Sequence, residues 1–218
     1  MAGTGPRGRH SVLIRVSIVS RTGKVLLDSL VKPDEPITDW RTSITGIGPE
    51  SYQIGSPLTV MSHADALERA GQLMDGNIVV GHDLRHDFKV LHRPYPHPSL
   101  LRDTAFYPLL HAGLTKKCHG GTPSLRALAR EWLEEDIHAS GPHDSVVDAI
   151  AAMTLYRLVE REWEEYSRKK WGPLPLKVKE RRPRLHGRGW LCRASKRNHR
   201  PSRCRARRVL QFMRACKK

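Results

Sequence analysis

Aromatic residues are scarce, at 6% of 218, and the four cysteines, Cys118, Cys192, Cys204 and Cys216, include no C-x2-C pair. A structural zinc site draws on closely spaced thiolates and imidazoles, so Cys118-His119 with three scattered cysteines is a poor match and reduced thiols are expected. Nowhere do about 20 apolar residues run together, and no signal peptide is recognisable, so the expectation is a soluble, intracellular chain without a membrane partner. Acidic residues are what the C-terminal quarter lacks. Residues 167–218 carry 20 Lys and Arg against 1 acid, net +19, whereas residues 1–166 carry 18 basic and 21 acidic side chains, net −3. The tail therefore supplies the entire excess of positive charge.

That division implies two parts: a domain over 1–166 and a basic tail over 167–218, expected to be disordered because like charge, Pro and Gly oppose collapse. Arginine-rich clusters with Trp171 and Trp190 between them suit contact with RNA phosphates and bases, and equally suit a nuclear or nucleolar address. A translated segment with no selected role is the third reading of the same residues.

Within the domain, Ser11 to Ser20 and Lys24 to Val31 are rich in β-branched residues and predict a hairpin around Arg21-Thr22-Gly23. A helix is predicted over His63 to Met74, with Ala64, Leu67, Ala70 and Leu73 or Met74 inward, followed by a strand over Asn77 to Gly81. Thr122-Pro123 reads as the cap and first residue of a helix reaching Leu133, with Leu125, Leu128 and Trp132 inward. The pattern is that of an α/β fold. Between Pro33 and Pro57 lies a connection too long to be a simple turn, and its Arg41 is a candidate for contacting phosphate or supporting the loop that does; an ordinary surface Arg is the competing reading.

Two acids stand out. Asp87, in GHDLRHDFKVL, borders the stripe Leu84, Phe88, Leu91 of a predicted helix, and Asp148, in HDSVVDAIAAMTLY, shares its side with Ala151, Ala152 and Leu155 on a segment reaching Tyr166. Ionised carboxylates are costly to bury without a partner, so a cation between them is one reading. A helix-first-turn acid and an ion-pair partner of a distant Arg are the other. His82 and His86 stand at i, i+4, but no third ligand is evident, and they are read as structural or exposed.

These residues carry a resemblance. GTGPRG (3–8), RVSIVS (15–20), VKPDEPITDWRTSITGI (31–47), VVGHDLRHDFKVL (79–91), RDT (102–104) and HDSVVDA (143–149) resemble, in order and spacing, the DEDDh 3′–5′ exonucleases, in the branch of the interferon-stimulated, apoptosis-enhancing and ribosomal-RNA-processing nucleases. The resemblance implies an RNase H-like mixed sheet flanked by helices. It also implies that Asp87 and Asp148 are metal ligands for Mg2+ or Mn2+, that His143 is the general base, and that the substrate is a single-stranded RNA or DNA 3′ end.

The departure from the pattern lies at the start. Family members open with a strand ending D-C-E-M-V-G-x-G-P; here Met1 aligns with the Met after the Glu, so the chain is expected to lack the first strand and two of the four acids. Two explanations compete, an upstream segment missing from the sequence and a true short form that starts at this Met, and the first is favoured. The resemblance then implies a metal-dependent 3′–5′ exonuclease in RNA processing, with the activity of this form open. A non-catalytic RNA-binding or regulatory protein built on the same fold is the alternative.

Overall fold

The structure is a computed structural model, and it describes residues 1–112, 114, 121–139 and 141–174. Of the basic tail expected to be disordered, Ser167 to Trp171 instead complete a helix, and residues 175–218 lie outside the described residues. The described residues belong to one compact unit, Met1–Val178.

Strands β1 (Ala2–Thr4), β2 (His10–Val12) and β5 (Ile37–Asp39) form one antiparallel sheet in the order β2-β1-β5. A second sheet runs β3 (Arg15–Val19), β4 (Val25–Lys32), β6 (Val60–Ser62), with β3 antiparallel and β6 parallel to β4. The predicted hairpin is present: Ser20 and Lys24 close the turn with a 2.8 Å backbone bond, and Gly23 takes φ 81, a conformation that suits glycine. The single strand expected over 11–20 is instead divided at Leu13-Ile14, because its first half pairs with β1 and its second with β4. A parallel pair, β7 (Val79–Gly81) with β8 (Leu101–Asp103), completes the strands among the described residues.

The long 33–57 connection holds β5, the single-turn helix α1 (Thr42–Thr45) and a 3-10 turn at Pro49–Tyr52. Tyr52 anchors it by donating from its hydroxyl to the Ile14 and Val31 carbonyls, both at 3.0 Å.

Helix α2 (His63–Met74) begins and ends where predicted, capped by Ser62, whose hydroxyl accepts from Asp65 N at 3.1 Å. Its buried face is set by Ala66 and Ala70, with Leu67 and Met74 alongside, against Leu13, Val16, Val31, Val90 and Leu91; Ala64, expected inward, is exposed. Helix α3 (Arg85–Val90) follows β7 directly, and α4 (Pro108–His111) follows β8. The cap predicted at Thr122 lies two residues later: Ser124 accepts from Ala127 N at 3.2 Å, so Pro123 precedes the helix rather than opening it. Helix α5 (Leu125–Leu128) widens into a π turn at Ala129–Leu133 and stops at Glu134, φ 61.

The last predicted segment is two helices, α6 (Ser145–Leu158) and α7 (Glu160–Trp171), parted at the buried Val159 with φ −122. Two contacts seat α7. Trp163 stacks on Tyr107 with centroids 3.9 Å apart, and Glu164 accepts from the fully buried Arg102 guanidinium at 2.6 and 2.8 Å. Among the described residues no helix is long and apolar enough to cross a membrane.

Candidate active site

Asp148 sits in the first turn of α6, whose N-terminus Asp144 caps by accepting from Val146 N at 2.8 Å and Val147 N at 3.3 Å. The residues predicted to share its side, Ala151, Ala152 and Leu155, are all buried, so the carboxylate rises from the edge of the core at the positive end of a helix dipole. A polar lattice fixes that helix end to the sheet. Arg15 donates to Asp28 at 2.9 and 3.0 Å and lies 3.6 Å from Asp144, while Ser17 bonds Asp28 at 2.7 Å and Ser145 at 2.6 Å. Burial of Asp28 works against its ionisation, and the Arg15 and Ser17 hydrogen bonds outweigh that, holding its carboxyl below the usual range.

His143 approaches Asp148 from the preceding loop, Nδ1 to Oδ2 3.5 Å, with its side chain half exposed. Its backbone N–H donates to Ile44 O at 2.7 Å, tying it to α1. The neighbouring contact is close: a Cβ on Gly46, which has φ 66, would lie 2.8 Å from Pro142 Cγ. His143 opens on a cleft of about 300 Å3 whose lining includes Thr45, Ile47, Ser51, Leu58 and Pro142.

Asp87 is half-buried on α3 beside the buried stripe Leu84, Phe88 and Leu91, as the periodicity requires. Burial pushes its carboxyl up to about 6, offset in part by the Met1 amino group and His86, while Asp103 and Asp83 push it further up. The turn before α3 is held by Asp103, which accepts from Asp83 N at 2.8 Å, Leu84 N at 2.9 Å and Ala105 N at 3.1 Å. Asp83 itself has φ 53, and its Oδ1 is buried with no hydrogen-bond partner among the described residues.

Arg41 does not reach into the cleft lining. It adopts φ 50 before α1, donates to Gly8 O at 2.9 Å and Ser11 Oγ at 3.3 Å, and so braces the 33–57 connection against β2 and the turn after β1. His82 bonds Thr104 Oγ1 at 2.9 Å and burial lowers its pKa, whereas His86 is largely exposed.

One cluster of ligand-type side chains is present among the described residues: His138, His143 and Asp148, with one donor atom from each lying within 4.8 Å of the others. Asp87 is not a member of it. His138 is not legible in the sequence, since nothing in ASGPH signals that the chain folds back after Glu134 to bring a residue ten positions upstream onto Asp148. Asp103 is likewise silent within RDT, since the strand it ends is Leu-Arg-Asp.

The structure thus sets Asp87 on α3 apart from the pair formed by Asp148 on α6 and His143 on the loop before it. Residues 1–156 match the exonuclease (RNase T) family, and the chain belongs to that family. It is 39% identical over 168 residues to human RNA exonuclease 4, covering 77% of this chain and 37% of the relative. RNA exonuclease 4 of Saccharomyces cerevisiae is 40% identical over 166 residues, covering 76% of this chain and 54% of the relative. The chain thus spans from about a third to just over half of the length of these relatives. Among solved structures, the S. cerevisiae Pan2 pseudoubiquitin hydrolase-RNA exonuclease module in complex with AAUUAA RNA superposes with a TM-score of 0.59 at 27% identity, covering 78% of this chain and 29% of that module's chain. These likenesses agree with the RNase H-like architecture expected from the sequence.

Proposed function

We propose that this protein is a metal-dependent 3′–5′ exonuclease that removes nucleotides from single-stranded RNA. The single observation that carries the reading is the pairing of Asp148 with His143, 3.5 Å apart, on an exonuclease-family fold, with His143 lining a cleft. RNA as substrate is supported by the relatives' name, RNA exonuclease 4, and by the Pan2 module solved with RNA.

Asp87 and Asp148 are oxygen donors of the kind that Mg2+ or Mn2+ prefers, and burial raises the carboxyl of Asp87, a cost that a bound cation would offset. A bound divalent ion would offset phosphate charge. His143, with Nδ1 turned to Asp148, has its other ring nitrogen to take a proton from an attacking water, and Asp148 holds the imidazole in that orientation. Arg41 supports the loop beside the substrate path. The basic segment 167–218 contributes sequence-independent contacts to RNA and directs the protein to the nucleus and nucleolus, which localisation of a fluorescent fusion with and without 167–218 would test.

The alternative, RNA binding without cleavage, is favoured by one feature: Asp87 and Asp148 are two carboxylates where a two-ion site needs several. Digestion of a 5′-labelled single-stranded RNA with Mn2+ separates the readings. Stepwise shortening from the 3′ end that is lost in Asp148→Ala supports the enzyme, and salt-sensitive retention of intact RNA supports the alternative.

A further inference from the structure

We propose that His138, His143 and Asp148 form a transition-metal site, distinct in donor chemistry from the carboxylate site for Mg2+ or Mn2+, and that Zn2+ bound there shuts off the nuclease. The geometry comes first. His138 Nε2 lies 2.7 Å from Asp148 Oδ1, His143 Nδ1 lies 3.5 Å from Asp148 Oδ2, and the two imidazole rings are 3.8 Å apart between centroids. A tetrahedral ion with bonds of about 2.0–2.1 Å spaces its donors roughly 3.3 Å apart, so small side-chain rotations bring the three onto one ion.

The donor set decides which ion. Two imidazoles and one carboxylate suit Zn2+ and its neighbours in the transition series and suit Mg2+ poorly, because Mg2+ demands oxygen ligands in octahedral array. His138 is firmly held. Its side chain is 7% exposed, and the turn that delivers it is braced at Asp136, which accepts from Arg126 at 2.6 and 3.0 Å and from Arg130 at 2.5 Å. His143 is half exposed at the mouth of the cleft, which leaves a fourth position to water. An ion so bound takes Asp148 from the divalent ion of catalysis and His143 from the attacking water. Regulation by free zinc follows from two residues shared between the two states, with His138 belonging to the zinc state alone.

The test uses the purified full chain and Co2+ alone, read by visible absorption. The site predicts one Co2+ per chain with the intense d–d bands of a four- or five-coordinate ion, displaced by Zn2+. Thiolate ligation by Cys118, Cys192, Cys204 or Cys216 would add near-ultraviolet charge-transfer bands that a nitrogen and oxygen donor set lacks. His138→Gln, which keeps a hydrogen bond to Asp148, and His143→Gln, at a half-exposed position that spares the core, should each weaken Co2+ binding at least about tenfold while the far-ultraviolet circular dichroism is unchanged. Co2+ affinity unaltered in both variants, or octahedral spectra at saturation, would overturn the proposal. This arm is independent of RNA cleavage. The regulatory arm rests on the exonuclease reading: Zn2+ should inhibit Mn2+-supported cleavage in the parent chain at a concentration about tenfold below that needed in His138→Gln, and equal inhibition of the two would sink the regulatory role.

Discussion

Replacing Asp87 by Asn should stabilise the metal-free protein at neutral pH. Burial raises its carboxyl from the ordinary 3.8 to about 6, so the folded state resists ionisation that the unfolded chain accepts freely. Below the unfolded value both states hold the proton and the residue costs nothing. Between about pH 4 and 6 the unfolded chain loses its proton first, stability falls, and above the folded value the full cost is in place. A shift of about two units at ~1.4 kcal/mol each gives ~3 kcal/mol, and residual hydration of a half-buried group brings it to about 2 kcal/mol. Urea unfolding in EDTA should show Asp87→Asn more stable than the parent by about 2 kcal/mol at pH 7.5 and equal to it near pH 3.5. Added Mn2+ should reverse the order, because only the parent gains binding energy from the ion. An Asn variant less stable at pH 7.5, or a difference that does not change with pH, would refute the view that Asp87 is an uncompensated carboxylate kept for a cation.

Other perturbations follow from particular contacts. Glu164→Ala removes the carboxylate paired with the Arg102 guanidinium, whose side chain is 1% exposed and keeps only the Ser99 and Leu101 carbonyls, and should cost about 3 kcal/mol in chemical denaturation. Trp163→Ala removes the partner that stacks on Tyr107 and should cost about 3–5 kcal/mol, with loss of near-ultraviolet circular dichroism. Gly46→Ala forces a side chain into a left-handed conformation and against Pro142, a strain of about 1–2 kcal/mol, so the rate of RNA shortening should fall far more than the thermal midpoint as His143 is displaced.

Much of the architecture is legible in the sequence because it is local. The helix His63–Met74, the hairpin around Gly23 and the burial beside Asp87 and Asp148 all follow from periodicity and turn chemistry within a few residues of each position. The remainder depends on pairing at a distance. The bend at Leu13-Ile14 exists because β1 and β4 compete for one run of residues, and the break at Val159 lets α7 turn so that Trp163 reaches Tyr107 and Glu164 reaches Arg102. The cap at Ser124 rather than Thr122 is a choice between nearby hydroxyl residues that local preference does not separate. At the site, Asp87 and Asp148 are marked by their helical context and His143 by the family resemblance, whereas His138 and the bracing acid Asp103 matter only through partners elsewhere in the chain.

Whether this chain shortens RNA is decided by a time course of 5′-labelled single-stranded RNA with the purified protein in Mn2+, beside Asp148→Ala and an EDTA control. The expected result is a ladder that shortens from the 3′ end one nucleotide at a time in the parent, with full-length RNA in both controls. RNA that stays intact with the parent chain, or a ladder that persists in Asp148→Ala, would contradict the exonuclease reading.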